Sequence, residues 1–198
     1  ENNEFEYIVV DNLSGDDSVE QLKEEVKKYK NFYVVANDKN GGFGNGNNAG
    51  VRHGKGEYIL LLNDDTVVED QGILRMLEYI ETHEDVGAIG GRLINSDGSE
   101  QSAMGEFYNI LTISLFIFGF QRMGFVNKNP KEISEVDWVK GALLMMKKSV
   151  FEKIGGFDEH IWMYTEDMEI CYRVHKAGLK CVYFPEVKVR HTEHGSSN

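Results

Sequence analysis

Short apolar runs alternate with helix-like segments along the first half of the chain, and this alternation restricts the fold more than any other feature. The run Tyr58–Leu62 is uninterrupted, as in strands that are covered on both faces of a parallel sheet. Strands and helices that alternate at this spacing predict an α/β fold, with a mostly parallel sheet flanked by helices in a single domain. The other predicted strands are residues 5–10, Phe32–Ala36 and Val86–Ile94, and the predicted helices are residues 18–29, with a capping box from Ser18 to Gln21, and 73–80.

The second half of the chain has fewer regular patterns. We predict a strand over residues 136–146 and a helix over residues 166–177, which Gly178 ends. The apolar stretch of residues 110–120 is shorter than the roughly 20 residues that cross a bilayer, so it is interpreted as a core or interfacial segment. The helix has an apolar stripe at Ile170, Cys171, Val174 and Ala177, and Cys181 falls in a predicted strand. Both cysteines are therefore interpreted as core residues.

Charge and cysteine content exclude several classes of protein. A net charge of −12 over 198 residues repels phosphate backbones, so we expect no nucleic-acid partner. Two cysteines and two prolines exclude a disulfide scaffold and a proline-rich linker. Residues 1–4 are polar and acidic and do not resemble the start of a secretory signal, so a cytoplasmic location is expected.

The acidic turn Asn63-Asp64-Asp65 follows the buried strand Tyr58–Leu62 directly. Carboxylates at such a place indicate a cation, and Mg²⁺ or Mn²⁺ typically takes one or two protein carboxylates together with substrate phosphates and water. The alternative is an acidic turn that caps a helix after Thr66. His191, at the end of a predicted strand, is a candidate third contact to the metal or a structural histidine.

The glycine-rich run of residues 40–50 lets a backbone approach a flat or charged ligand closely. It is neither a P-loop nor a dinucleotide fingerprint, because no Gly-Lys-Ser/Thr ends it and the glycine spacing differs. Taken alone, it is also typical of a flexible loop.

Asp167 lies in the first turn of the helix predicted at 166–177, where it is either a general base or a helix-capping acid.

Seven segments in this order resemble the family 2 glycosyltransferases of the GT-A fold, and most of all their bacterial rhamnosyltransferase-like branch. The segments are residues 9–12, 40–50, 61–66, 140–142, 155–159, 164–167 and His191. Members of the family usually begin with a further apolar strand, so the resemblance implies that residues 1–198 form an N-terminally incomplete domain. It also implies a nucleotide-binding half at 1–95 and an acceptor and catalytic half at 96–198.

The resemblance implies a role for each matching residue. Asp11 would accept a hydrogen bond from the imide N–H of uracil or thymine, and Asp65 and His191 would bind the metal. Asn63 departs from the stricter acidic motif and would contact ribose. Asp167 would be the catalytic base. The remaining nucleotide residues would be Asn12, Asn40, Gly41, Asn48 and Asp64, and the acceptor or sugar residues would be Lys140, Gly141, Ala142, Trp162, Tyr164 and Glu166.

The activity implied is inverting transfer of a sugar from a UDP- or dTDP-sugar, with dTDP-rhamnose favoured, to a saccharide or lipid-linked acceptor. Mg²⁺ or Mn²⁺ would assist the transfer, which would serve cell-surface polysaccharide synthesis at the inner face of the membrane, with peripheral membrane association. Two alternatives stay open from sequence: a sugar-phosphate nucleotidyltransferase and an inactive nucleotide-sugar-binding domain.

Overall fold

The computed structural model describes residues 5–69, 71–108 and 129–192. The stretch 110–120, residues 1–4 and His194 lie outside these ranges. The strands are β1 Tyr7–Asp11, β2 Phe32–Ala36, β3 Tyr58–Leu62, β4 Thr66–Val68, β5 Val86–Ile94, β6 Met104–Gly105, β7 Ser134–Val136, β8 Trp138–Val139, β9 Leu143–Lys147 and β10 Lys180–His191. The helices are α1 Ser18–Val26, α2 Gly42–His53, α3 Gly72–Thr82, α4 Lys148–Lys153 and α5 Glu166–Lys176.

The chain divides into two compact units. The first comprises the residues up to Ile59 together with Lys147–Ile170, and the second comprises Leu60–Met146 and the residues from Cys171 onward. The predicted division into a nucleotide-binding half at 1–95 and an acceptor and catalytic half at 96–198 is a division by function. The two compact units are defined by packing and do not test it, so it stays a prediction.

In the first unit, β1 and β2 form a parallel pair with Tyr7 opposite Phe32 and Asp11 opposite Ala36. Helix α2 packs against β1, and α1 packs against β2. The side chain of Val10 lies so close to Gly50 that a Cβ atom on this glycine would be only 3.0 Å from it. The small residues of α2 therefore allow the helix to lie directly on the strand.

The second unit contains a six-stranded sheet in the order β3-β9-β5-β10-β4, with β7 also paired to β10. Strand β5 runs parallel to β10 and antiparallel to β9. The ladder between β5 and β10 shifts register between Phe184 and Lys188, next to Pro185, which has no N–H to donate. The core lies between this sheet and α3, where Met76, Ile80, Ile89 and Leu93 are fully buried.

The α/β prediction is confirmed, and the two longest ladders with described register, β1 with β2 and β5 with β10, are parallel. Three predicted strands, β2, β3 and β5, match their observed bounds, because predominantly apolar segments mark them. Gly178 has φ +81 just after α5, as a helix-ending glycine does. The predicted burial of Ile170, Cys171, Val174 and Cys181 is also confirmed, whereas Ala177 follows the helix and is only half-buried.

Two local predictions and two of the alternatives left open by the sequence are wrong. The glycine-rich run is helix α2 rather than a loop, because tertiary packing overrides its low helix propensity. The acidic turn leads into strand β4, not into a helix. The strand predicted over 136–146 is broken into β7, β8 and β9 by a turn at residues 140–142. Ser18 donates its hydroxyl to Asp16 instead of forming a capping box.

Candidate active site

The acidic turn and the end of β10 meet in the second unit. Strand β10 pairs antiparallel with β4, which places His191 opposite Thr66, and Asp65 immediately precedes that residue. The backbone N–H of Thr192 donates to the carbonyl of Asp65 at 3.1 Å, which closes the ladder. As a result, His191 Nε2 lies 3.1 Å from Asp65 Oδ1, with the two side chains only 9% and 16% exposed.

Asn63 and the turn at residues 140–142 border this pair. Asn63 Nδ2 lies 3.4 Å from His191 Nε2, and the Asn63 N–H donates to the carbonyl of Ala142 at 3.4 Å. Gly141 and Ala142 are buried, whereas Lys140 is half-buried and donates its backbone N–H to Ala103. Asp64 is exposed in the same turn. The structure therefore brings Asn63, Asp65, His191 and Ala142 together within the second unit.

The pair has the chemistry of a partial site for a divalent cation. Asp65 Oδ1 is buried and accepts no hydrogen bond from any residue that the structure describes. An imidazole nitrogen and a carboxylate oxygen are both ligand types for Mn²⁺. Within the described ranges no group of three His, Cys, Asp or Glu residues could hold a metal. A cation here would thus need further ligands from substrate or water, as Mg²⁺ and Mn²⁺ sites commonly do.

Asp11 ends β1 in the first unit and organises the turn that follows. Its Oδ2 accepts hydrogen bonds from the N–H groups of Leu13 and Ser14 at 3.1 and 3.2 Å, and its Oδ1 accepts the Ser14 hydroxyl. Leu13 adopts φ +70, an uncommon conformation for a branched residue. Each carboxylate oxygen has two lone pairs, so this held carboxylate can still accept a further N–H.

Asn12 and Asn40 hold the start of α2. Asn12 donates its side-chain amide to the carbonyl of Gly42 at 2.9 Å and accepts from Asn37 at 2.9 Å. Asn40 Oδ1 accepts the N–H of Gly42 at 3.1 Å. Gly41 is the residue before the first turn of the helix. These predicted nucleotide-binding residues share one end of α2 in the first unit.

Asn48 is buried and bonded on both sides of its amide. It donates to the carbonyl of Phe157 at 2.9 Å and accepts the Phe157 N–H at 2.9 Å. It also donates to Glu159 at 3.2 Å, and this hydrogen bond lowers the pKa of the Glu159 carboxyl. Sequence reasoning missed this positioning of the loop at 155–159, because it depends on residues more than 100 positions apart.

The segment before α5 carries exposed aromatic side chains on a strained backbone. Trp162 is 54% exposed and Tyr164 is 78% exposed. Tyr164 and Thr165 have φ +64 and +70, conformations that cost about 1–3 kcal/mol each in residues other than glycine. The carbonyl of Trp162 accepts the N–H of Phe43 at 3.3 Å, which fixes the segment to α2.

Glu166 and Asp167 open α5. Asp167 Oδ1 accepts the N–H of Met168 at 2.8 Å in the first turn, where the helix dipole favours a negative charge. Glu166 is only 8% exposed, and its Oε2 accepts no hydrogen bond among the described residues. Burial raises the pKa of Glu166, and the charge of the neighbouring Asp167 raises it further.

Gln101 is a neighbour of His191 that the sequence did not indicate. Its Oε1 lies 2.9 Å from His191 Nδ1, although 90 residues separate the two. It follows a turn in the chain, as many surface glutamines do, and no feature of the sequence marks it as a neighbour of His191.

The described helices include none that is long and apolar enough to cross a membrane.

The comparisons with known proteins all indicate a glycosyltransferase. The profile of "Glycosyl transferase family 2" matches residues 1–155, and that of "N-terminal domain of galactosyltransferase" matches residues 121–195. Rhamnosyltransferase WbbL of Escherichia coli is 29% identical over 164 residues, or 77% of this chain and 61% of WbbL. Poly-beta-1,6-N-acetyl-D-glucosamine synthase of Staphylococcus epidermidis is 26% identical over 184 residues, or 92% of this chain and 41% of the synthase. The chain thus spans about half the length of these relatives.

Solved structures show the same fold at low sequence identity. GalNAc-T7, crystallised with UDP, GalNAc and Mn²⁺, has a TM-score of 0.72 at 18% identity, covering 94% of this chain and 37% of GalNAc-T7. The mannosyltransferase PcManGT from Pyrobaculum calidifontis, in complex with GDP-Man and Mn²⁺, has a TM-score of 0.65 at 16% identity, covering 96% of this chain and 49% of PcManGT. The chain therefore belongs to glycosyltransferase family 2 and has the GT-A fold.

Proposed function

We propose that this chain is the catalytic domain of an inverting glycosyltransferase that takes a UDP- or dTDP-sugar, with dTDP-rhamnose favoured. The acceptor is a hydroxyl of a saccharide or lipid-linked glycan, and the product enters a cell-surface polysaccharide. The similarity to a rhamnosyltransferase and to a polysaccharide synthase supports this assignment. The proposed place of action is the cytoplasm, at the inner face of the membrane.

The contact between Asp65 and His191 is the observation that carries the proposal. The carboxylate oxygen of Asp65 is buried beside an imidazole nitrogen and accepts no hydrogen bond from the described residues, an arrangement that a divalent cation would stabilise. Mg²⁺ or Mn²⁺ would be held by Asp65 and His191, and when bound it supplies positive charge to a diphosphate leaving group. Asn63, at 3.4 Å from the same nitrogen, would contact the ribose.

Donor recognition would lie with the residues after β1 and at the start of α2. The carboxylate of Asp11 is held by the turn at Leu13 and Ser14 and would accept the imide N–H of uracil or thymine. The resemblance of this position to the aspartate of the family that binds uracil or thymine supports a preference for UDP- or dTDP-sugars over purine donors. Asn12, Asn40, Gly41, Asn48 and Asp64 would complete the nucleotide site.

Asp167 would act as the general base. Its carboxylate would take the proton of the acceptor hydroxyl while that oxygen attacks the anomeric carbon, on the face opposite the departing diphosphate. A carboxylate is a weak base, so proton transfer would follow the start of C–O bond formation. The acceptor and donor sugar would lie against Lys140, Gly141, Ala142, Trp162, Tyr164 and Glu166.

The proposal is tested with a panel of UDP- and dTDP-sugars in the presence of Mn²⁺ or Mg²⁺. We expect thermal stabilisation of the protein by UDP or dTDP with the metal, and release of nucleoside diphosphate when a donor and acceptor are supplied. Release of pyrophosphate would indicate a nucleotidyltransferase instead. Nucleotide binding without any turnover across the panel would indicate an inactive binding domain.

A further inference from the structure

The hydrogen bonds of the Gln101 side chain are compatible with only one orientation of its amide group. The residue is 6% exposed and follows the turn at residues 95–99 in the second unit. Its Nε2 lies 2.9 Å from the backbone carbonyl of His191 and 2.6 Å from Asn95 Oδ1. A backbone carbonyl can only accept, so the nitrogen of the Gln101 amide must face it. The Gln101 oxygen is therefore the atom that faces the imidazole of His191.

This orientation decides which nitrogen of His191 carries the proton. Gln101 Oε1 lies 2.9 Å from His191 Nδ1 and can only accept, so Nδ1 must donate. In the neutral imidazole, Nε2 then carries a lone pair. That lone pair points toward Asp65 Oδ1, 3.1 Å away, so with a neutral ring two acceptors face each other, whereas a doubly protonated ring would donate to Asp65.

We infer that Gln101 is a positioning residue that fixes His191 in the tautomer with the proton on Nδ1, so that its Nε2 lone pair is available to a cation beside Asp65. The inference rests on the proposed function for the role of the cation, but not for the tautomer. Partners at the second nitrogen of a metal-binding histidine set its tautomer and ring orientation in this way. Asn63, at 3.4 Å from Nε2, is a weak donor to that lone pair when no metal is bound.

The tautomer can be measured without metal or substrate. In ¹⁵N-labelled, metal-free protein near pH 8, the ring nitrogens of His191, assigned by their loss in His191→Ala, report which of them is protonated. We expect protonated Nδ1 in the wild type and in Gln101→Glu, in which one carboxylate oxygen still accepts from Nδ1 although the donor to the His191 carbonyl is lost. In Gln101→Met, whose thioether sulfur is only a weak acceptor, we expect a mixture of tautomers. Gln21→Met, on the exposed surface of α1, is the matched control.

Metal affinity provides the second measurement. With UDP present, we expect Gln101→Met to bind Mn²⁺ at least about 10-fold more weakly than the wild type. Gln101→Glu keeps the acceptor for Nδ1 but loses the donor to the His191 carbonyl, so we expect it to lose less affinity than Gln101→Met. A wild type with protonated Nε2, or a folded Gln101→Met that keeps Nδ1 protonated, would overturn the inference. If Gln101→Met does not fold, the spectra of the wild type and Gln101→Glu decide it.

The two proposals fail differently in this experiment. A wild type that has protonated Nδ1 but shows no Mn²⁺ binding that depends on His191 would refute the proposed metal pair and still support the positioning role of Gln101. Loss of affinity in His191→Ala, combined with a tautomer that Gln101→Met leaves unchanged, would support the metal pair and refute the role of Gln101.

Discussion

His191 Nε2 and Asp65 Oδ1 face each other at 3.1 Å, with no described donor to the carboxylate oxygen. Asp65→Asn puts an amide in the same space, and its N–H can donate to Nε2. Without metal we expect the variant to be more stable by about 1 kcal/mol, which raises Tm by about 2–4 °C. The stabilisation by UDP with Mn²⁺ should be lost in the same protein.

Calorimetry with and without Mn²⁺ and UDP measures both effects. His160→Ala, at an exposed histidine that pairs only with Asp158 within the described chain, controls for general effects of surface charge on metal response. A metal-dependent shift of Tm that survives in Asp65→Asn would contradict the assignment of Asp65.

Asn48→Ala should be strongly destabilising, because it leaves both the N–H and the carbonyl of Phe157 buried without their partner. We expect a loss of roughly 3 kcal/mol in the free energy of unfolding, measured by urea denaturation. Asn47→Ala, one position along α2, removes a single bond to Phe43 and should cost about 1 kcal/mol or less. Similar losses in the two variants would show that Asn48 does not hold the loop at 155–159.

Gly42→Ala should disrupt the first unit. Gly42 has φ +81, and an added Cβ atom would lie 2.0 Å from the carbonyl oxygen of Trp162. We expect a loss of about 3 kcal/mol or more in unfolding free energy. Gly15→Ala is the matched control, since its φ is +73 but no atom lies within 4 Å of the added Cβ. That variant should lose only about 1–2 kcal/mol, the backbone cost alone, and equal losses would rule out the clash.

Glu166→Gln should change stability in a pH-dependent way. Burial raises the pKa of Glu166 above its ordinary value of 4.5, so the folded state binds this proton more tightly than the unfolded chain. The wild type therefore loses stability as the pH rises from 4.5 through the folded pKa. Glu166→Gln cannot ionise, so it should be the more stable protein at neutral pH, and the advantage should vanish below pH 4.5.

Glu159→Gln supplies a control of opposite sign for that experiment. The Asn48 hydrogen bond lowers the pKa of Glu159, so its ionised form stabilises the fold above 4.5 and the benefit is lost as the pH falls through the lowered pKa. This variant should be less stable than the wild type at neutral pH. Melting curves across pH that show both variants shifting in the same direction would contradict the two assignments.

Asp167→Asn should lower the transfer rate by about 10²- to 10⁴-fold, as expected for loss of a general base. The amide still accepts the N–H of Met168, so we expect an unchanged fold and unchanged nucleotide binding. Glu169→Gln, two residues along the same helix, is the control for loss of a negative charge. Transfer at a wild-type rate by folded Asp167→Asn would remove Asp167 from the mechanism.

The sequence predicted best where a local pattern is sufficient to define an element. Predominantly apolar segments identified β2, β3 and β5 with their observed bounds, and His191 does end β10. The resemblance to known glycosyltransferases identified the family, which the comparison confirms. The roles of the individual site residues stay predictions, with the contact between Asp65 and His191 as their main structural support.

Prediction failed where long-range packing decides the local structure. The residues of α2 favour a loop by propensity, and only their contacts with β1 and with the loop at 155–159 make them helical. The bond between Gln101 and His191 has no local signal either, because it joins residues 90 positions apart. Both features depend on which side chains meet in the folded chain.

Helix α2 has a consequence for the order of folding. Each of Gly44, Gly46 and Gly50 weakens an isolated helix by about 1 kcal/mol relative to alanine. The segment therefore has little tendency to nucleate by itself, and it gains its helical hydrogen bonds only once β1 and Phe157 are in position against it. We therefore expect its formation to be a late event in assembly, and its amide protons to exchange with solvent through local opening more readily than those of the buried strand β5.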